Sequence, residues 1–183
     1  MKTPLDIRPE IAAFASGAFV MIFEILGARI LWSYVGTSIY VWTSIISLIL
    51  GALALWYYHW GKLSDKWVTT KTLAVLFTIS GFLFLSLPYI KDIVLIGITD
   101  TVHDIRFSSL IATGILFVPV SFVLGMIQPI ATKLHIHSLE GTGKVIGRIG
   151  SIGTLWSIIG TLAAWFFLVP FFGIVHLLVA LAL

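Results

Sequence analysis

The chain has 183 residues, of which 59% are hydrophobic and only 10% are charged, with a mean hydropathy of +1.09. Because soluble domains carry about 25% charged residues, this composition excludes an ordinary soluble protein and indicates an integral membrane protein. The absence of cysteine excludes disulfides, thiolate metal sites and cysteine nucleophiles, and the net charge of +3 accompanies no aromatic-interleaved basic patch of the kind that binds nucleic acid.

Six apolar segments predict membrane helices, since a spanning helix needs about 20 mostly apolar residues. The first is too long for a signal-peptide core and lacks a small-residue cleavage pattern, so it is predicted to remain as a helix. The third is slightly short, and the last is either a sixth helix cut short or a stub that does not span. The segments are residues 11–34, 38–58, 72–89, 108–131, 149–169 and 171–183, within a single transmembrane domain over 1–183.

Residues 90–107, IKDIVLIGITDTVHDIRF, do not fit a membrane helix. The apolar run IVLIGI is too short to cross about 30 Å of hydrocarbon. We therefore predict an amphipathic segment that lies on the outer surface of the membrane.

The basic residues predict the orientation of the chain, because cytoplasmic loops carry an excess of lysine and arginine. Eight of them fall on one side of the predicted helices and two on the other. The eight are Lys2, Arg8, Lys62, Lys66, Lys71, Lys133, Lys144 and Arg148, and the two are Lys91 and Arg106. We expect a multi-pass protein of the cell membrane with its N-terminus in the cytoplasm.

Glu24 lies near the middle of the first predicted helix, in MIFEILGARIL. A carboxylate at that depth is costly unless it faces protein or water. It is either a functional group or a protonated carboxyl that donates one hydrogen bond to a neighbouring helix, and the sequence favours neither. Arg29 follows about 140° around the helix, so no direct pair is predicted, and Arg29 is expected to extend to the outer interface.

Gln128 and Pro129, in SFVLGMIQPIATK, lie toward the cytoplasmic end of the fourth predicted helix. Proline removes one backbone hydrogen bond and leaves a carbonyl free. Gln128 either satisfies such a group or lines a cavity, and the pattern favours a kink with local repair.

The fifth predicted helix carries Gly153, Ser157 and Thr161 at a spacing of four residues, with Gly160 and Ala164 one step around. Small residues at this spacing let two helices approach closely. We predict a packing seam there, and the pattern says nothing about a ligand.

The sequence predicts no catalytic centre and no cofactor. His135 and His137 lie two residues apart beside Glu140, without HExxH or similar metal-ligand spacing, and are expected in a solvated loop. EGTGKVIG lacks the phosphate-binding spacing GxxxxGK[ST] and is predicted to be a flexible loop before the fifth helix.

The stretch GKLSDKW is predicted to form a cytoplasmic turn between the second and third helices. Its residues Gly61, Leu63, Asp65 and Lys66 resemble the first half of the signature loop of the major facilitator superfamily, roughly G-x-L-x-D-R-x-G-R-R. The second half departs, since VTT stands where the glycine and arginines would follow. The resemblance implies that Asp65 helps to latch conformations through charge and helix-end contacts.

A longer resemblance covers most of the chain. Four stretches of the chain are similar to the membrane half of the fused major facilitator/spermidine synthase-like family. They are FEILGARIL, the second helix with its GKLSDK ending, GMIQPIATKL and GKVIGRIGSIGTLWSIIGTLAAWFFLVPFFG. Gly147, Arg148 and Gly160 match that family's pattern in the fifth helix. Gly153 stands where an asparagine is expected and Trp156 where a glycine is expected, so no function of that asparagine carries over.

The resemblance implies an all-α bundle of about six helices, equivalent to half of a major facilitator fold. In such proteins a soluble aminopropyltransferase-like domain commonly follows, and this chain ends before one, so no enzyme activity is expected. Half of such a fold has no opposing half to rock against. A transporter-like module linked to polyamine metabolism is therefore expected to form a homodimer or to bind another subunit. The alternative is a membrane anchor or scaffold for a partner enzyme or membrane complex.

Overall fold

The computed structural model describes residues 8–135 and 142–183, which form an all-α bundle without a strand in either range. Ten helical elements follow one another along the chain. They are α1 (Arg8–Val35), α2 (Ile39–Trp67), α3 (Thr70–Thr101), α4 (Ile105–Leu116), α5 (Val118–Gly125), α6 (Ile127–His135), α7 (Thr142–Ala163), a π turn (Ala164–Leu168), α8 (Val169–Phe171) and α9 (Ile174–Ala182).

Short capped connections join the first three helices. Gly36 has a φ of 86°, which glycine adopts without strain, and it turns the chain between α1 and α2. The Ser38 hydroxyl accepts a hydrogen bond from the Val41 N–H at 3.4 Å, and the Thr69 hydroxyl accepts one from the Thr72 N–H at 3.2 Å. Both side chains satisfy amide groups that the start of a helix leaves unpaired.

The predicted turn GKLSDKW is wrong, because residues 61–67 are the last two turns of α2. Only Val68 and Thr69 separate α2 from α3. Lysine, leucine and the other residues of the stretch tolerate helical backbone, and a single glycine costs only about 1 kcal/mol there. Gly61, Asp65 and Lys66 therefore lie on helical backbone, and their side chains fall outside the described part of the chain.

The predicted end of the third helix at residue 89 is also wrong, because α3 continues to Thr101. Pro88 does not end the helix, and the run IVLIGI extends it with Leu95 and Ile98 buried. The helix closes where the Val102 N–H donates to the Ile98 carbonyl at 2.8 Å. Residues 90–101 are thus helix, and the 32 residues of α3 span about 48 Å.

Lys91 and Asp92, which follow the predicted end of the third helix, both have partners in the fold. Lys91 pairs with Asp92. The Tyr34 hydroxyl donates to the same Asp92 carboxylate at 2.5 Å and links the end of α1 to α3. These contacts hold this part of α3 beside the end of α1.

The fourth predicted helix, 108–131, is broken into α4, α5 and α6. Ile105–Leu116 and Val118–Leu134 form a bent pair with an angle of 48° between them. Pro119 and Pro129 lack the N–H that would bond to the fourth residue before each of them. The bend of 48° therefore lies at Phe117, beside Pro119, and near Pro129 the chain shows only the one-residue separation of α5 and α6 at Met126.

The last two predicted segments also change their bounds. EGTGKVIG is not a loop throughout, because α7 begins at Thr142. Beyond Ala163 the backbone widens into the π turn, in which the Val169 N–H bonds to the carbonyl of Ala164, five residues earlier. After the break at Gly173, the nine-residue α9 packs against α3.

Phe23, Phe84 and Phe117 form the fully buried aromatic centre of the bundle. The ring of Phe23 lies 5.0 Å from that of Phe84 and 5.2 Å from that of Phe117. Large apolar side chains such as Phe82 and Ile93 point outward, as lipid solvation requires. Among the described residues, four helices are long and apolar enough to cross a membrane, or five if the bent pair is one span, which fits a multi-pass membrane protein.

Candidate functional site

Helices α1 and α7 run parallel in close contact along a row of small residues. The Ser157 hydroxyl lies 3.0 Å from the carbonyl oxygens of both Gly17 and Gly153, to either of which it can donate. One turn later, Gly160 lies against Ala18. Gly153 and Ser157 of the predicted seam therefore contact α1. The Thr161 hydroxyl instead donates to the Ser157 carbonyl of its own helix at 2.8 Å.

The same two helices meet at the end of the bundle where α1 begins, which we call the Glu10 end. The Glu10 carboxylate pairs with the Arg148 guanidinium at 3.2 Å. One turn further in, the rings of Phe14 and Trp156 lie 3.8 Å apart. The opposite end, where Tyr34 meets Asp92, is called the Tyr34 end.

Between the helices, at the level of this seam, lies a cavity of about 150 Å³. It is bounded by four parts of the bundle: α1, α2, the broken α5–α6 region and α7. The lining residues are Ser16, Gly17, Val20, Met21, Leu53, Leu124, Gly125, Gln128 and Ser157. The cavity is half the volume of the smallest typical small-molecule pockets, which start at about 300 Å³.

Gln128 is the largest polar side chain in the cavity wall. Its carboxamide has no hydrogen-bond partner within the described part of the chain. A Cβ on Gly153 would lie 3.1 Å from the amide nitrogen, so the missing side chain at Gly153 leaves room for the amide. Gln128 thus lines a cavity, the role that the sequence made the less favoured one.

Pro129 adds a second polar feature to the wall. Having no N–H, it cannot donate the helical hydrogen bond to the carbonyl of Gly125, four residues earlier. Gly125 itself lines the cavity. The break between α5 and α6 therefore places backbone oxygen, as well as the Gln128 amide, at this point of the bundle.

Glu24 lies one turn beyond the cavity, toward the Tyr34 end, and is partly buried. It is seven residues after Gly17, and a spacing of seven returns a helix to within about 20° of the same face. Helical side chains lean toward the N-terminus of their helix, so Glu24 leans toward the cavity. No residue among those described forms a hydrogen bond or ion pair with its carboxylate.

Ser121 is a site residue that the sequence did not predict. It lies seven residues before Gln128, on the same face, and is only 1% exposed. Its hydroxyl has no hydrogen-bond partner in the described ranges. The one available signal was a hydroxyl within the otherwise apolar run VPVSFVLG, but the absence of a partner depends on the surrounding helices.

Ser121 and Glu24 lie at the same level of the bundle. α5 and α6 run antiparallel to α1, and Phe117 packs on Gly27 while Gln128 lies near Gly153, which contacts Gly17. Counting inward from these contacts places residue 121 beside residues 23–24. The Glu24 carboxylate and the Ser121 hydroxyl, neither of which is paired within the described part of the chain, therefore stand about two helical turns from the level of Gln128, on the Tyr34 side of the cavity.

The remaining predicted residues lie apart from this cavity. Arg29 is exposed near the Tyr34 end and forms no ion pair with Glu24, as expected from the angle between them. His135 ends α6, whereas His137 and Glu140 lie outside the described residues. Within the described ranges, no group of three or more His, Asp or Glu residues could hold a metal ion.

Comparisons of the chain with models of protein families, with curated proteins and with solved structures found no match.

Proposed function

We propose that this chain is a membrane-transport module in which the cavity between α1, α5–α6 and α7 receives a small polar solute. The observation that carries the proposal is the unpaired Gln128 amide in the cavity wall, beneath the unpaired carboxylate of Glu24. Both side chains are partly buried, and a membrane interior offers polar groups little water to pair with. Groups left unpaired at this depth are suited to pair with a solute that enters and leaves.

The proposal includes the assembly and orientation that the resemblance implies. The six-segment bundle would act as one half of a major facilitator-like transporter, in a homodimer or with another subunit, because alternating access needs two halves that move against each other. The N-terminus and the Glu10 end would face the cytoplasm of the cell membrane. Asp65 in α2 would latch conformations at that end.

Polyamines are the first solutes to test, given the resemblance to spermidine synthase-like fusions. A cavity of about 150 Å³ accommodates one ammonium end of an extended polyamine better than the whole molecule. Purified protein in vesicles should take up labelled putrescine or spermidine above the level of empty vesicles. Because a lost charge-assisted contact is worth about 1.5–3 kcal/mol, Glu24→Gln should slow uptake by about 10- to 100-fold.

Asp100→Asn is the matched control, since it makes the same chemical change at an exposed carboxylate of α3 far from the cavity. It should leave uptake unchanged. Uptake in Glu24→Gln equal to that of Asp100→Asn would remove Glu24 from the mechanism. Vesicles that take up no polyamine would remove the polyamine link.

The second candidate is a non-transporting scaffold that anchors a partner enzyme or membrane complex. It is favoured by the close contact of α1 with α7, where Gly17 has no room even for a methyl group beside the Gly153 carbonyl. A seam this tight resists the sliding that transport requires. Stable co-purification with another subunit, together with uptake no faster than in empty vesicles, would support this candidate.

A further inference from the structure

We propose that the cavity binds a small monovalent cation: an alkali-metal ion or the ammonium end of an amine. The inference rests on the proposed function, since it concerns the same cavity, and it names the chemical class of what binds there. Its basis is that the unpaired groups around the cavity are almost all oxygen atoms on converging helix faces.

The wall of the cavity contains uncharged oxygen atoms that can coordinate a cation. The Ser16 hydroxyl gives its proton to the Ala13 carbonyl at 3.0 Å, and the Ser157 hydroxyl gives its proton to a glycine carbonyl. Their lone pairs remain available to a ligand. The Gln128 side-chain oxygen and the Gly125 carbonyl, which Pro129 leaves without its helical donor, add two more acceptors.

Glu24, which lies one turn beyond the cavity toward the Tyr34 end, supplies the negative charge that balances a cation. Glu24 leans from α1 toward the cavity, because helical side chains tilt toward the N-terminus of their helix. The Gln128 amide nitrogen lies beside Gly153, toward the Glu10 end of the cavity, so Gln128 and Glu24 stand at opposite ends of it. The buried, unpaired Ser121 hydroxyl stands at the level of Glu24. A cation in the cavity would contact the Gln128 side-chain oxygen, and the Glu24 carboxylate one turn beyond the cavity would balance its charge.

The charge balance selects a cation of single charge. The cavity-lining residues include no lysine, arginine or histidine that would attract an anion. One carboxylate balances one positive charge, whereas sites for divalent ions usually gather several carboxylates, and no such cluster occurs within the described residues. The Glu10–Arg148 pair, one to two turns away at the Glu10 end, is already neutralised.

The test measures binding without transport. Purified full-length protein in detergent would be heated in chloride salts of sodium, potassium, methylammonium or choline at equal ionic strength. A ligand at about 100 times its Kd should raise the melting temperature by about 5–10 °C. Sodium, potassium or methylammonium should raise the melting temperature in this way. Choline should not, because its trimethylammonium group is too bulky to approach the oxygen atoms of the cavity. Stabilisation of the protein by sodium or potassium would identify a metal-ion site, and stabilisation by methylammonium alone would identify a site for an amine.

Three variants locate the site. Glu24→Gln and Gln128→Leu should each weaken cation binding by about 10-fold or more. Ser121→Ala should weaken binding and yet raise the melting temperature in choline, because it removes a buried hydroxyl that has no partner without the ion. Ser109→Ala is the matched control, since the buried Ser109 hydroxyl already donates to the Ile105 carbonyl at 2.6 Å, and its cation response should match that of the wild type.

Equal stabilisation by all four salts, or an unchanged cation response in Glu24→Gln, would overturn the inference. Polyamine uptake by a protein with no selective cation response would overturn it as well, while the transport proposal stands. Selective cation binding by a protein that takes up no polyamine would support it and leave the identity of the transported solute to further flux assays.

Discussion

The seam between α1 and α7 gives a sharp prediction for Gly17→Ala. A Cβ at residue 17 would lie 2.5 Å from the Gly153 carbonyl oxygen and 3.1 Å from the Ser157 hydroxyl oxygen. Close C···O contacts lie at about 3.3–3.6 Å, so the helices must separate by roughly 0.8 Å at this point. The obstructing oxygen belongs to helical backbone and cannot rotate away.

The cost follows from that separation. A radial gap of about 0.5–1 Å loses a quarter to a half of the attraction at each contact, and overpacking typically costs about 1–3 kcal/mol. Alanine favours helical backbone over glycine by up to about 1 kcal/mol, which offsets part of this cost. We expect a net loss of about 1–2 kcal/mol in the free energy of unfolding, which lowers the melting temperature by about 2–8 °C.

Thermal unfolding in detergent, followed by tryptophan fluorescence, measures this loss. Gly150→Ala is the matched control, because a Cβ there meets nothing within 4 Å and the residue lies in α7 itself. It should melt at or slightly above the wild-type temperature. If Gly17→Ala and Gly150→Ala have the same melting temperature, the close approach of the two helices does not determine stability and the reasoning fails.

Three further predictions concern other parts of the molecule. Phe117→Ala should lower the free energy of unfolding by up to about 3–5 kcal/mol, and Phe117→Leu should lower it by less. Melting temperatures measure both losses. A loss below about 1 kcal/mol in Phe117→Ala would contradict the burial of this ring against Phe23. Arg148→Met should cost less than about 1 kcal/mol, and the difference should vanish in about 1 M salt, because the Arg148 side chain is 55% exposed; a salt-independent loss would argue against an exposed ion pair. In this cysteine-free chain, a membrane-impermeant thiol reagent applied outside cells should label Asp100→Cys and spare Lys66→Cys; the reverse pattern would invert the proposed orientation.

The helical class and the positions of the main helices could be predicted from the apolar runs, because lipid forces the backbone to pair within each segment. Prolines were harder to interpret. Pro129 lies inside α6, just after the separation at Met126, whereas Pro88 lies inside the uninterrupted α3. A proline in an apolar run therefore does not by itself show where a helix ends, because the packing around it is a tertiary property that no local pattern contains.

Two residues of the candidate site could be predicted from the sequence, but their arrangement around one cavity could not. Glu24 and Gln128 stood out because polar groups within apolar helices are costly. Their approach to one cavity depends on α1 and α6 lying side by side in opposite directions. Ser121 could not be recognised, because serine usually bonds to its own helix, and its lack of a partner appears only in the packed bundle.

The π turn at Ala164–Leu168 changes how the chain meets α1. Before the turn, α7 presents glycine and serine to α1. Within the turn, the ring of Trp165 lies 6.0 Å from that of Trp32, near the other end of α1. The wider turn accommodates one extra residue, and each residue of an α-helix turns the chain by about 100°. Deleting a single residue here would rotate everything beyond the turn by that angle, so a one-residue insertion sets the orientation of the chain after Leu168 relative to the small-residue face of α7.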